Sequence, residues 1–391
     1  MRLLNRFRKP RKPWEFDRLL DPVKTLWSPV APLSSRGYRP LQLTFDDQLK
    51  ALVYFHLQEF SSGRELIQAL EEDNFAKECV APPKGVKKSA FFEAINTRGL
   101  EQLTEIFGIL AKQARKVIPA QDPKLGNLVA IDGSVIDAVM SMDWAEYSST
   151  HNKAKAHVGL DLNRGVPTRV FITDANQVER QYVDHILSPG ETAVLDRGYQ
   201  CNADFDRWQD NGQHFICRIQ QRARKKLVRH NDLPPSNIVF YDAMAILGKK
   251  GLTEAEKELR VVGYRVDGKE YWVATNRYDL TGEQVAEAYK LRWNIEAFFG
   301  WWKRYLNVYH LIARSEYGLK VQILSGLITY LLLAIYCQEQ HNEPVSIKRV
   351  RELRNKIASE AAGMAAEAAR SRKKQASSRA HKRQKRRKAK T

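Results

Sequence analysis

Two rhythms of apolar and polar residues divide the chain. From Thr44 to about Val117, apolar positions recur at spacings of three and four in TFDDQLKALVYFHLQEF, SSGRELIQALEED, KKSAFFEAINTR and LEQLTEIFGILAKQARKV. That spacing predicts roughly four or five amphipathic helices. Thr44 stands three residues before Asp47, which predicts a capping box at the first helix start. The rhythm then shortens. NLVAIDGSVID, ETAVLDRGY, HFICRI, NIVFYD, RVVGYRV and EYWVATN read as short strands, and HVGLDLNRGVPTRVFITDA as a hairpin around an Asn-Arg-Gly turn. Helical spacing returns after Thr281, where Gln284 completes a second predicted capping box. The run VQILSGLITYLLLAIYC, residues 321–337, is almost wholly apolar. It is short for a membrane span and contains Gln322, Ser325 and Thr329, so it predicts a buried core helix.

The helix that follows Thr281 runs through YKLRWNIEAFFGWWK, and its polar residues are not scattered. At about 100° per residue, setting Tyr289 at zero puts Arg292 near 300°, Glu296 near 340° and Lys303 near 320°. These four form one stripe. Leu291, Ile295, Phe298, Phe299 and Trp302 form a separate apolar stripe. An i,i+4 ion pair between Arg292 and Glu296 is the ordinary structural reading of the polar stripe. The tyrosine and the second cation in line with that pair point beyond it, to a ligand. Trp301 and Trp302 read as packing.

Charge changes the picture of partners. The chain has 391 residues, 43% of them apolar, and a net charge of +19. That composition suits a soluble globular protein whose field attracts polyanions, either nucleic acid or an acidic membrane. Twelve Lys or Arg and no Asp or Glu lie between Arg370 and Thr391, leaving +7 for residues 1–369. This low-complexity tail is expected to be disordered and to touch DNA without sequence preference. A basic arm, MRLLNRFRKPRKP, opens the chain with no apolar run behind it, so no secretory signal is expected. Cys79, Cys201, Cys217 and Cys337 are scattered without paired spacing, which predicts reduced thiols rather than a zinc site.

Two apolar strand-like runs end on a carboxylate near a glycine: Asp132 in VAIDGS and Asp196 in AVLDRGY. Taken alone, each is as well explained by a turn. Asp161 and Asp174 read as turn residues, and Lys153, Lys155 and His157 as solvated or locally hydrogen-bonded. Two such aspartates joined by Glu296 on a later helix are more specific. Three carboxylates form a natural cage for two divalent cations, and Mg²⁺ favours such hard oxygen ligands. A pair of cations of this kind serves phosphodiester displacement.

The order and context of Asp132, Asp196 and Glu296 resemble the DDE transposases of bacterial insertion sequences. Tyr289-x2-Arg292-x3-Glu296-x6-Lys303 matches the Y-R-E-K signature of their insertion-sequence-four-type branch. LVAIDGS, VLDRGY, the ATN before the signature helix and LRWNIEAFF are similar to that branch as well, over about 128–336. The resemblance implies an α/β fold with an RNase H-like mixed five-stranded sheet flanked by helices. Asp132 would lie on its first strand and Asp196 just after its fourth, with a β-rich insertion before the helix of Glu296. It further implies that Asp132, Asp196 and Glu296 bind two Mg²⁺, with Mn²⁺ able to substitute. Tyr289, Arg292 and Lys303 would hold DNA phosphates beside the cut. Apart from the resemblance, Arg197 is a candidate DNA contact because it directly follows Asp196. The expected organisation is a basic arm (1–43), a helical DNA-binding domain (44–120) and a catalytic core in two parts (121–217 and 269–340). The insertion occupies 218–268, and a charged helix with the basic tail occupies 341–391. The expected activity is cut-and-paste transposition by a cytoplasmic, nucleoid-associated homodimer. Its partners would be double-stranded DNA at terminal inverted repeats and at a target, with no membrane. The alternatives are a domesticated, non-catalytic DNA-binding protein and an RNase H-like structure-specific nuclease.

Overall fold

The three-and-four rhythm becomes helix. The computed structural model describes residues 14–24, 30, 33, 41–138, 143–148, 151–233, 235, 238–306 and 308–388. Most of the N-terminal basic arm, including MRLLNRFRKPRKP, lies outside the described residues. First come α1 (Glu15–Leu19), α2 (Asp21–Lys24), α3 (Phe45–Leu57), α4 (Gly63–Glu72), α5 (Lys88–Thr97) and α6 (Leu100–Val117). Thr44 caps α3 as expected: its hydroxyl accepts from Asp47 N–H while the Asp47 carboxylate accepts from Thr44 N–H.

Strands follow: β1 (Asn127–Ala138), β2 (Glu146–Ser148), β3 (His151–Asp161), β4 (Val166–Asp174), β5 (Glu191–Leu195) and β6 (His214–Arg218). Then come β7 (Lys225–His230), β8 (Val239–Leu247), β9 (Leu259–Val266) and β10 (Lys269–Thr275). Helices α7 (Val183–Ile186) and α8 (Asn202–Asp210) interrupt them, and α9 (Gly282–Lys290), α10 (Asn294–Tyr305), α11 (Glu316–His341) and α12 (Ile347–Lys388) complete the chain.

The chain divides into two compact units. One comprises Met1–Ile106, Tyr305–Ala313 and Tyr317–Thr391; the other comprises Phe107–Arg304 and Arg314–Glu316. The first is helical. Phe16, Tyr54 and Phe75 form an aromatic knot with centroids 5.6–6.4 Å apart. The apolar run of residues 321–337 lies inside α11, long and apolar enough to cross a membrane but 89% buried within the protein. Its polar residues are used internally. Gln322 bridges His310 O and Ile312 N, and Ser325 hydrogen-bonds the buried His56 ring at 3.0 Å. Residues 317–340, placed with the core from sequence, thus group with the N-terminal helices. Helix α12 covers most of the basic tail for which the sequence predicts disorder. It runs to Lys388, because Ala, Lys, Arg and Gln favour helix and no Gly or Pro follows Gly363.

The second unit is a mixed α/β fold with a multi-stranded sheet flanked by helices. Ten strands, not five, form one sheet among the described residues, in the order β2-β3-β1-β5-β6-β10-β9-β8-β7, with β4 also on β3. The β-rich segment does not stand apart, because β10 pairs β6 antiparallel and carries β9, β8 and β7 outward. The hairpin lies where its turn residues predict. Asp161 accepts from Asn163 N–H and Arg164 N–H at its tip. One face of the sheet is closed by α7 and α8, with Phe205 and Trp208 against Phe215 at 4.8 and 5.5 Å. Gly159 is required there, since a Cβ would stand 2.4 Å from Ile186 Cγ2.

Candidate active site

Register builds the site. Strands β1 and β5 run parallel, paired from Asn127↔Glu191 to Ala130↔Val194. Two residues further along each chain stand Asp132 and Asp196. The β1–β3 pairing continues through Asp132↔Val158 to Ala138, so Asp132 lies within a long strand rather than at its end. This corrects the reading of Asp132 as a strand-terminal turn residue, because β3 supplies a partner where β5 stops. Asp196 does follow its strand directly. Its Oδ1 accepts from Gly198 N–H at 2.6 Å and caps the short 3₁₀ turn Arg197–Tyr199.

The segment bearing Glu296 is held against the sheet by ATN. Thr275 Oγ donates to Phe215 O at 2.6 Å, Asn276 Oδ1 accepts from Phe215 N–H, and Asn276 Nδ2 donates to Gln213 O. Arg277 reaches Thr192 Oγ1 on β5 at 2.7 Å. Thr281 and Gln284 form the predicted capping box of α9. The helix expected to be continuous is α9 and α10 joined by a 3₁₀ turn, Leu291–Trp293. Tighter winding there shifts the stripe relative to the wheel, yet Arg292 Nη2 still meets Glu296 Oε1 at 2.7 Å.

Electrostatics gather around Asp132. Burial lifts its carboxyl from 3.8 to about 7; the Gly133 N–H opposes this, Glu179 and Glu296 add to it, and Arg292 opposes it. The Glu179 carboxylate occupies the space that a Cβ on Gly133 would fill, 2.6 Å from its Oε1. Lys155 pairs with Glu179 at 3.2 Å. Tyr199 is buried with its hydroxyl towards Glu179, near Asp132 and Asp196. Glu179 and Tyr199 were missed from sequence. Glu179 opens a short 3₁₀ turn, Glu179–Tyr182, too brief to show periodicity in sequence.

The other expected residues divide. Tyr289 and Arg292 are buried, with the guanidinium 5.8 Å from the phenol centroid. Burial raises the Tyr289 phenol to about 12, and its hydroxyl has no hydrogen-bond partner of good geometry. Lys303 donates to Val135 O at 2.6 Å, and burial lowers its ammonium. Arg197 is exposed on an open groove shared with Arg180, Arg207, Arg224 and Lys249. Trp302 packs on Phe298 as expected, while His157 stacks on Tyr182 at 4.0 Å and Lys155 is taken by Glu179.

The donors fit a hard cation in kind. All are oxygens, Asp132 is desolvated beside other carboxylates, and Glu296 Oε2 is buried without a partner. In position the fit is incomplete, since among the described residues no three His, Cys, Asp or Glu side chains gather closely enough to hold a metal ion.

Residues 123–332 match the family described as the transposase DDE domain. The probable transposase for insertion sequence element IS5377 of Geobacillus stearothermophilus is 27% identical over 54% of this chain and 57% of its own length. The chain thus spans little more than half of that relative. A protein of Synechocystis sp. assigned as transposase for insertion sequence element IS4SA is 25% identical over 63% of this chain and 71% of its own. A piggyBac transposase synaptic complex with hairpin DNA superposes with a TM-score of 0.43 at 10% identity, covering 88% of this chain and 77% of that one, too low a likeness to assign a fold.

Proposed function

This chain belongs to the transposase DDE-domain family, related to insertion-sequence transposases of the IS4 type, and from that membership we propose that it is a metal-dependent cut-and-paste DNA transposase. The observation that carries the reading is the register that brings Asp132 abreast of Asp196, with Glu296 electrostatically coupled to Asp132. The strand order β4-β3-β1-β5-β6 within the larger sheet supports an RNase H-like core. Asp132, Asp196 and Glu296 would hold two divalent cations, with Mg²⁺ expected and Mn²⁺ able to replace it. Bound there, such ions would supply charge stabilisation to the attacking and leaving oxygens of a phosphodiester.

The chain's own groups do the rest. Arg292 holds Glu296 in place and must yield part of it to any cation that binds there. The buried guanidinium, the Tyr289 hydroxyl and Lys303 line one stripe along which a DNA phosphate finds charge and a donor. In the reaction, a water oxygen attacks phosphorus at the element's end and the strand leaves as a free 3′-OH. That hydroxyl then attacks the opposite strand or a target phosphodiester. The proposal includes a homodimer bridged by DNA, ends marked by inverted repeats, and residence in the cytoplasm at the nucleoid.

A second reading, a DNA binder that does not cut, is favoured by one observation: the three carboxylates are not gathered, and Glu296 is paired with Arg292. Glu296→Gln separates the two. Strand cleavage is measured on a duplex carrying the DNA that flanks the gene, with Mg²⁺ and with Ca²⁺, beside Asp196→Asn. Expected is a Mg²⁺-dependent cut at the repeat boundary that both substitutions abolish while binding persists. Binding with no cut by the unsubstituted protein, under Mn²⁺ as well, gives the second reading.

A further inference from the structure

The row that carries two carboxylates has a third member. Strand β6 runs parallel to β5, paired to Leu195↔Cys217, and one step further places Arg218 abreast of Asp196. Asp196 keeps an extended backbone (φ −79°, ψ 179°) as it leaves β5. Residues abreast on neighbouring strands share a face of the sheet. Asp132, Asp196 and Arg218 therefore form one row across the edge where the parallel strands end. On its other side Arg218 pairs Val273 of β10; Tyr271, two residues back along β10, and its partner Tyr264 on β9 lie on the same face.

The Arg218 guanidinium does not turn to Asp196. It lies 4.9 Å from the Tyr271 ring centroid, above a stacked Tyr264–Tyr271 pair with centroids 5.4 Å apart. It makes no ion pair with any described carboxylate. Arg218 also acts electrostatically on Tyr289 and Tyr264, as does Arg292, so the signature helix faces this same patch. Within the patch, Tyr289 is 2% exposed and Arg292 6% exposed; the Tyr289 hydroxyl interacts with the Arg292 guanidinium without a bond of good geometry, and Arg292 Nε has no partner. Two guanidiniums and a buried phenol hydroxyl converge; Arg292 gives Nη2 to Glu296, and its Nε and the Arg218 guanidinium keep donors to spare. The carboxylate nearest to them in the row is left to its own turn.

Resting on the transposase reading, we propose that Arg218 is a further DNA-positioning residue, gripping a backbone phosphate next to the carboxylate row together with Arg292 and the Tyr289 hydroxyl. A planar guanidinium presents parallel donors that suit two non-bridging phosphate oxygens. The aromatic floor keeps the group oriented without neutralising it, which a carboxylate partner would do.

The test is equilibrium binding of the full chain to a duplex made from the gene-flanking DNA, in Ca²⁺, across a salt series. Arg218→Gln is expected to weaken binding several-fold and to reduce the slope of log K against log salt by about 0.9, the signature of one lost phosphate contact. An unchanged affinity and slope in a folded Gln variant overturns the proposal. A second measurement guards against a variant that misfolds. The duplex is scanned with single neutral methylphosphonates, using the unsubstituted protein and Arg218→Lys. One position is expected where neutralisation costs the unsubstituted protein affinity and costs the Lys variant clearly less. A scan identical for both proteins overturns the proposal, leaving the transposase reading intact. Failure of the unsubstituted protein to prefer the flanking duplex over an unrelated one counts against that reading instead.

Discussion

Asp132 shows what a single carboxyl contributes when it is buried, with acidic neighbours adding to the effect. Its folded-state value, about 7, lies above the 3.8 of an exposed aspartate. The folded chain therefore holds this proton more tightly than the unfolded chain. Stability falls as pH rises from about 4 towards about 7, and the loss is complete above that window. Asp132→Asn removes the cost. In a chelator at about pH 8, the Asn variant is expected to be the more stable by a few kcal/mol, at about 1.4 kcal/mol per unit. Near pH 4 the two proteins are expected to unfold together. Thermal unfolding at both values checks this, and equal midpoints at pH 8 would show that Asp132 ionises without strain. The residue itself was legible in sequence, because an apolar run ending in Asp-Gly announces it. Its place was not, since Asp-Gly reads as a turn until β3 is known to pair through it. Arg218 was illegible for a related reason: the end of HFICRI shows a cation, and only register shows which carboxylates stand beside it.

At the scale of elements, local chemistry was the most legible part. Both capping boxes formed where Thr and an acid or amide stood three apart, because a cap depends only on its own turn. The hairpin turn was legible for the same reason. The 3₁₀ joint between α9 and α10 was not, as no Pro or Gly marks it. The joining of the β-rich segment to the main sheet was hidden too, because it depends on β10 finding β6 across more than fifty residues of chain. Asn276 is the hinge of that arrangement. Asn276→Ala strands the Phe215 N–H and the Gln213 carbonyl, at a cost on the order of 1–3 kcal/mol. A lowered denaturant midpoint is expected, with cleavage lost more steeply than stability, because the same contacts hold the start of the Glu296 segment. A midpoint like that of the unsubstituted protein would show that other bonds hold this junction.

For the whole molecule, charge and length were plain from composition, while the grouping of the termini was not. Helix α11 is apolar along nearly its whole length, and nothing in its own residues says which helices will surround it. Helix α12, 42 residues and about 63 Å long, gives the basic tail a form that composition alone would have denied it. Deleting residues 370–391 is expected to weaken binding to every DNA sequence alike and to flatten its salt dependence. A loss confined to one sequence, in competition binding, would mean that the tail reads bases.

The separation of the carboxylates along the chain has a further consequence. Asp132 and Asp196 are synthesised well ahead of Glu296, with five strands of the sheet and the junction at Asn276 in between. A product of interrupted translation or of an early stop can contain the first two and never the third. Shortened siblings of this protein are therefore born without the complete acidic set, whatever DNA they retain the charge to occupy.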